Sequence, residues 1–315
     1  MLNRRHLRIK AFQTVYAYQQ AELKDRKSFE KILHDSVIAV HHAYIQSLAL
    51  LVELSEFEEM DVADRSSKHR PTDEDLNAKV VLSENLFVQT LKKDAEYLNL
   101  VKKYKVSWSD ESVLLREIFN KLKSDDAYKN YSSLNEKSIT QERDIITHIF
   151  KTVFFVDPLL EQYFEEKYIN WPVDKQSVDG MVLKTLRAYK EGSTEKVDIL
   201  PITANWEEDE EFVKELFNKT ILYADEYGQL IADKTKNWEV DRIALVDVIL
   251  MKMAIAELIH FKSIPTKVSM NEYIDISKEF STPKSKGFIN GILDKILIEL
   301  KEKGEIRKIG RGLME

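Results

Sequence analysis

Residues 243–261 read Ile-Ala-Leu-Val-Asp-Val-Ile-Leu-Met-Lys-Met-Ala-Ile-Ala-Glu-Leu-Ile-His-Phe, apolar at most positions and free of glycine and proline. A helix with so little polar face has to be covered on nearly every side. Asp247, Lys252 and Glu257 interrupt the run, and each is costly in lipid. The stretch therefore reads as the central helix of a soluble bundle, not as a membrane span. Trp238-Glu239-Val240-Asp241-Arg242 opens it. Two further helices are predicted behind it: an amphipathic one after Ile264-Pro265, and one carrying Gly287 and Gly291.

The rest of the chain agrees with an all-α fold. Its 315 residues contain only 8 glycines and 6 prolines, and tight turns and strand connections depend on those residues. Cysteine is absent, which excludes disulfides, cysteine zinc sites and thiol nucleophiles. The amino terminus carries charges where a signal peptide needs an apolar core, so a cytoplasmic protein is expected. The net charge of −7 argues against a generic nucleic-acid binder, but the charge is unevenly spread.

Arg4, Arg5, Arg8 and Lys10 open the chain, and no acid appears before Glu22. Leu7, Ala11 and Val15 recur every four residues, with Phe12 and Tyr16 beside them, so a helix is predicted from Asn3, a suitable N-cap. Cations in a first turn oppose the helix dipole, and Arg4 and Arg8 repel at i,i+4. Either an external polyanion or this chain's own acids would relieve both penalties.

A second helix is predicted over 29–54, with Ile32, Val37, Val40, Ile45, Leu48 and Leu51 as core candidates. Residues 61–78 are polar and read as a loop, and helices follow at about 81–105, 109–123 and 138–168. A shift of 67 residues overlays 150–183 on 217–250 with eight identities in 34, among them Asn170/Asn237, Trp171/Trp238, Val173/Val240 and Asp174/Asp241. This reads as a duplicated helix–turn–helix unit. After a linker at 191–211, the acids 207–211 precede a helix predicted over 212–235, where negative charge suits the dipole. The tail beyond Leu300 reads as frayed.

No catalytic constellation emerges. The sequence has no Gly-x-Ser-x-Gly elbow, phosphate-cradling glycine loop or His-Glu-x-x-His motif. His41 and His42 are adjacent and point about 100° apart on a helix, which makes no metal pair. No cofactor is called for, and nothing marks an enzyme. Gly287 and Gly291 lie on one helix face, and each costs about 1 kcal/mol relative to alanine; a neighbouring helix or a ligand is expected to approach there. Ser281-Thr282-Pro283-Lys284-Ser285-Lys286 just before them offers lysines and hydroxyls suited to phosphates, and Phe288 offers a stacking face.

These motifs together resemble the NusB family of bacterial transcription antitermination factors. Residues 4–16 are similar to that family's arginine-rich first helix. Asp241-Arg242, the buried helix through Ala256-Glu257-Leu258, Ile264-Pro265, Lys267-Val268, Asn271-Glu272 and Phe288-Ile289-Asn290-Gly291-Ile292-Leu293-Asp294 resemble its carboxy-terminal half. The resemblance covers about 3–23 and 212–298. It implies a helical bundle of two subdomains, here with an extra helical insertion. The corresponding division is 1–60, an insertion at 61–205, 206–302, and a flexible tail at 303–315.

What the resemblance implies for function is binding of boxA-type RNA in ribosomal RNA leader transcripts, together with the ribosomal protein NusE. RNA polymerase, an indirect partner, then reads through terminators. Arg4, Arg5, Arg8 and Lys10 would contact RNA, with Lys284, Lys286 and Phe288 as a second RNA surface; Tyr16 and Asp247 match positions facing NusE. The chain departs from the family in its length, in His6 where arginine is common, and in the charge pattern at Lys284 and Gly287. Two alternatives stay open: a detached NusB-like domain serving ribosomal RNA methylation, and a helical protein-interaction scaffold.

Overall fold

The computed structural model describes residues 1–192, 195–235 and 243–313. Every regular element among them is helical. Trp238 to Arg242, read above as the opening of the buried helix, lie outside the described residues, as does the Asn237-to-Asp241 part of the repeat. The chain divides into two units, Ile38–Ile202 together with Met1, and Leu2–Val37 with Thr203–Glu315.

The second unit begins with α1 (Arg4–Gln20) and takes in the start of α2 (Arg26–Ser66). It continues with α11 (Trp206–Leu222), α12 (Ala224–Lys234), α13 (Leu245–His260), α14 (Thr266–Phe280) and α15 (Ser285–Glu302). As its apolar composition requires, α13 is the most buried of these, and Ile249, Leu250, Met253, Ala254, Ile255, Ala256 and Leu258 are fully buried. α1, α11, α12, α14 and α15 all pack on it. Tyr18 of α1 meets Phe29 and Phe217 edge-on, with centroids 5.2 and 6.0 Å away. Glu207, Glu208 and Asp209 fall in the first turn of α11, where the dipole favours them.

Part of the tail is held against the end of α13. The Ile309 N–H donates to the Lys262 carbonyl at 3.0 Å, and Lys308 Nζ donates to the Phe261 and Glu257 carbonyls at 2.9 and 3.4 Å. A cation here adds a charged donor to carbonyls that already accept the Phe261 and Ile264 N–H groups, and it suits the negative end of the helix dipole. Burial brings the Lys308 ammonium down to about 8.

The first unit holds the rest of α2 and α3 (Asp73–Leu76), α4 (Leu86–Lys93), α5 (Ala95–Tyr104), α6 (Ser112–Ser124), α7 (Asp126–Ser132), α8 (Ile139–Ile149), α9 (Pro158–Lys167) and α10 (Trp171–Ala188). α2 is longer than its apolar pattern indicated. With no glycine or proline before Pro71, it continues through residues read as loop, and Ile32, expected in the core, is exposed. Its apolar window is long enough to cross a bilayer, but 72% of that window is buried within the chain.

The helix predicted over 138–168 is broken by a π-helical turn, Phe150–Phe154, and by Asp157, which caps α9 with Pro158 at its first position. Glu58, fully buried, accepts from the Val81 and Leu82 N–H groups at 2.8 and 2.7 Å. The left-handed backbone at Lys105 (φ 54°) ends α5. That conformation costs a side-chain-bearing residue roughly 1–2 kcal/mol.

The repeat is half visible. α9 and α12 coincide under the 67-residue shift, but Ile243 and Ala244 are not helical where their counterparts Gln176 and Ser177 lie inside α10.

Candidate nucleic-acid interface

At the start of α1, Asn3 Oδ1 accepts the Arg5 and His6 N–H groups at 2.9 and 3.1 Å. In return His6 Nδ1 accepts the Asn3 N–H at 3.2 Å. His6 thus completes a capping box, a role its position in a basic run did not disclose. Burial, with Arg5 and Lys10 nearby, holds its imidazole below the usual value.

The three arginines have three different settings. Arg8 is 3% exposed. Its Nε and Nη2 donate to the two oxygens of the fully buried Glu257 at 2.8 and 2.7 Å. Glu257 also accepts from Ser269 Oγ at 2.7 Å and the Tyr273 hydroxyl at 2.9 Å, so α1 and α14 both close on α13 through one carboxylate. Burial alone would lower the Arg8 guanidinium; the bonds from Glu257 reverse that and raise it.

Arg5 is exposed and donates to Glu272 at 2.9 and 3.0 Å and to Asp275 at 3.0 Å, both on α14. Arg4 donates to Asp209 at 3.2 Å and to Glu208, both on α11, and lies 4.9 Å from the Phe212 ring centroid. The awkward charge of the first turn is therefore answered by the chain's own acids. Arg8 is part of the core, and Lys10 is buried as well, so the surface cations here are Arg4 and Arg5. They edge an open groove of about 580 Å³ between the first turn of α1 and residues 263–268, with Glu272 in its wall.

The second surface is built differently. Lys284 and Lys286 are exposed, and neither has an ion-pair partner among the described residues. Phe288 is half-buried. The hydroxyls around them serve the fold: Ser285 Oγ lies 2.9 Å from both Ser281 Oγ and Thr282 Oγ1, and Ser281 donates to Asp247. Asp247 is 5% exposed in the first turn of α13, where the dipole favours its charge. It braces the start of α15, and the partner-facing carboxylate read from sequence is corrected to an internal acceptor. Tyr16 is 39% exposed, one ring away from the Phe12–Phe280 contact.

Of the two approaches expected at Gly287 and Gly291, a neighbouring helix of this chain is ruled out among the described residues. A side-chain carbon at either position would meet nothing within 4 Å. α14 relates the two surfaces: Asp275 holds Arg5, and Ser281, six residues or roughly 9 Å of helical rise further on, holds Asp247. Among the described residues no group of His, Asp and Glu is arranged to hold a metal ion.

The comparisons with known proteins bear on this geometry. The NusB family model matches residues 180–297. A transcription antitermination protein NusB from Salinibacter ruber is 38% identical over 138 residues, covering 42% of this chain and 86% of that protein. The chain belongs to the NusB family. A NusB from Chloroherpeton thalassium is 37% identical over 150 residues, 45% of this chain and 70% of its own length. No solved structure matches. The NusB match opens at Gly180, inside α10 and inside the stretch read as an insertion. More than half of the chain lies beyond what these NusB relatives cover.

Proposed function

We propose that this chain acts in transcription antitermination by binding single-stranded RNA of the boxA type, together with the ribosomal protein NusE, so that RNA polymerase passes terminators. The observation that carries the reading is the pair of unanswered lysines, Lys284 and Lys286, at the start of a NusB-family helix. Relatives sharing that family are named transcription antitermination proteins. Arg4 and Arg5 add a second set of cations whose side chains are already fixed in place by carboxylates. RNA phosphates have to compete with those carboxylates, so the lysines provide most of the electrostatic attraction and the arginines the register.

In this reading the protein is not an enzyme, and Tyr16, exposed on α1, belongs to the partner face. A role on nascent transcripts implies a cytoplasmic protein. The internal pairing of Arg4 and Arg5 favours one competitor, a helical scaffold that binds protein only. A gel-shift titration with boxA-type RNA, with and without NusE, decides between them. The proposal requires binding that NusE tightens and that salt weakens, and it fails if no shift appears at low salt.

A further inference from the structure

The first unit carries a cationic, aromatic face that belongs to neither surface described above. At the end of α5 the chain reads Lys102-Lys103-Tyr104-Lys105-Val106-Ser107-Trp108. All three lysines are exposed, and none has an ion-pair partner among the described residues. Lysines in the last turn suit the helix dipole, which accounts for Lys102 and Lys103. It does not account for Lys105, which lies past the helix in the left-handed conformation where glycine is the usual residue. A bulky cation is kept at a position that resists it, and such positions gather at functional sites.

The surroundings make this more than a charge run. Tyr104 is half-buried and fixed in orientation. His41 Nε2 must donate to the Leu200 carbonyl at 2.8 Å, so His41 Nδ1 accepts the Tyr104 hydroxyl, also at 2.8 Å. His42 stacks on the Tyr104 ring with centroids 5.3 Å apart. Tyr163 of α9 is half-buried and stacks at 4.5 Å on the fully buried Trp108. The buried Gln46 ties the two tyrosine sites together, donating to the Ser107 carbonyl at 3.2 Å and the Tyr163 hydroxyl at 3.0 Å.

Lys167 joins them, with Nζ 3.0 Å from Gln46 Oε1 and 2.9 Å from the Tyr163 hydroxyl. The Tyr168 hydroxyl and His42 Nε2 are buried here without a hydrogen-bond partner among the described residues. Two acids act on this group: Glu111 bears on Lys167 and Tyr163, and Glu96 on His41.

We infer that this face, formed by Lys102, Lys103, Tyr104, Lys105, Tyr163 and Lys167, is a second binding site for single-stranded RNA. Lysines track phosphates without regard to sequence, and rigidly held aromatic rings stack bases, which is the pairing of features that single-strand binders use. An acidic peptide would satisfy the lysines but would not stack on the two held rings, beside which the Lys103 and Lys167 ammonium groups lie 5.5 and 5.2 Å from the centroids. The site stands on different residues from those of the proposed antitermination surface, so either can fail alone.

The test uses the full chain and a fluorescein-labelled oligouridine, with binding followed against salt. Changing Lys102→Gln, Lys103→Gln and Lys105→Gln together touches only exposed side chains and lowers melting only slightly, through the lost charge at the end of α5. Affinity at low salt should drop by about tenfold or more. The slope of log affinity against log salt should fall by about 2, at roughly 0.7 per lost contact. Ultraviolet crosslinking of the unaltered protein should mark the peptides holding Tyr104 and Tyr163. An unchanged affinity and slope, or crosslinks confined to residues 1–20 and 281–290, overturns this second site. In that case a loss in the Lys284→Gln, Lys286→Gln variant still upholds the first. Displacement of the RNA by polyglutamate at equal charge concentration overturns the RNA assignment in favour of an acidic protein.

Discussion

The start of α1 and the start of α15 are both basic in sequence and physically unlike. At α1 each arginine has been met by carboxylates from α11, α13 or α14, and one is sealed in the core. At α15 Lys284 and Lys286 face solvent while the polar side chains beside them hold Asp247. The difference teaches that a basic motif does not measure available charge. An arginine's planar fork suits fixed, bidentate pairing, whereas a lysine's ammonium stays hydrated at the surface. The same helix ends can thus be similar in composition and separate into structural and available cations.

The largest test of that contrast is Arg8→Leu. It leaves Glu257 buried with only hydroxyl donors, a loss of about 3–5 kcal/mol, read as a shift of the urea midpoint. If instead stability is kept and RNA binding disappears, Arg8 is a ligand contact and the contrast collapses.

Next comes a paired comparison of RNA affinity. Lys284→Ala with Lys286→Ala should weaken binding by about tenfold at low salt and reduce the salt slope by about 1.4, two contacts at roughly 0.7 each. Arg4→Ala with Arg5→Ala should cost less, because Asp209, Glu272 and Asp275 already neutralise much of the charge these arginines offer. Equal losses would show that the carboxylates do not compete.

Gly291→Ala is smaller and opposite in sign. With nothing within 4 Å of the added carbon, the helix should gain up to about 1 kcal/mol. A lower melting temperature would mean that another molecule, or a second copy, occupies that face.

The smallest effect is that of His6. Its folded-state value lies below the unfolded one, near 6.5, so the unfolded chain takes up the proton first. The stability is complete above about pH 6.5 and is lost as pH falls toward the folded value. The difference in stability between the unaltered protein and His6→Gln, whose side chain retains an acceptor, should therefore shrink below that pH. A difference that does not vary with pH would remove His6 from the cap.

How much of this was legible in the sequence follows from how local each cause is. The burial of α13 could be read from its own residues, and so could the Asn3 cap. The partner of Arg8 could not, since it lies 249 positions away. The continuation of α2 past 60 was hidden because its polar end has no apolar periodicity, although the lack of glycine or proline before Pro71 allowed it. The break before α9 was signalled by Asp157-Pro158, an N-cap and first-turn pair, which the apolar pattern on either side masked. The hydroxyls at 281–285 had the right chemistry for phosphate but were already engaged, Ser281 with Asp247 and the others with one another, which only the packed fold reveals.

The Arg8–Glu257 pair also sets an order of assembly. On the ribosome α1 emerges ahead of the helices it pairs with, since its counter-charge and most of its packing partners are encoded beyond residue 203. Residues 38–202, a unit of their own, can fold in the interval, since domains generally fold as units during synthesis. Closing so long a loop costs little more than closing a shorter one, so the delay is one of synthesis time. Until α11 and α13 have been added, Leu7, Arg8 and Phe12 lack the helices on which α1 packs. A chain cut short before that point would carry its first helix as a sticky, cationic end without a home.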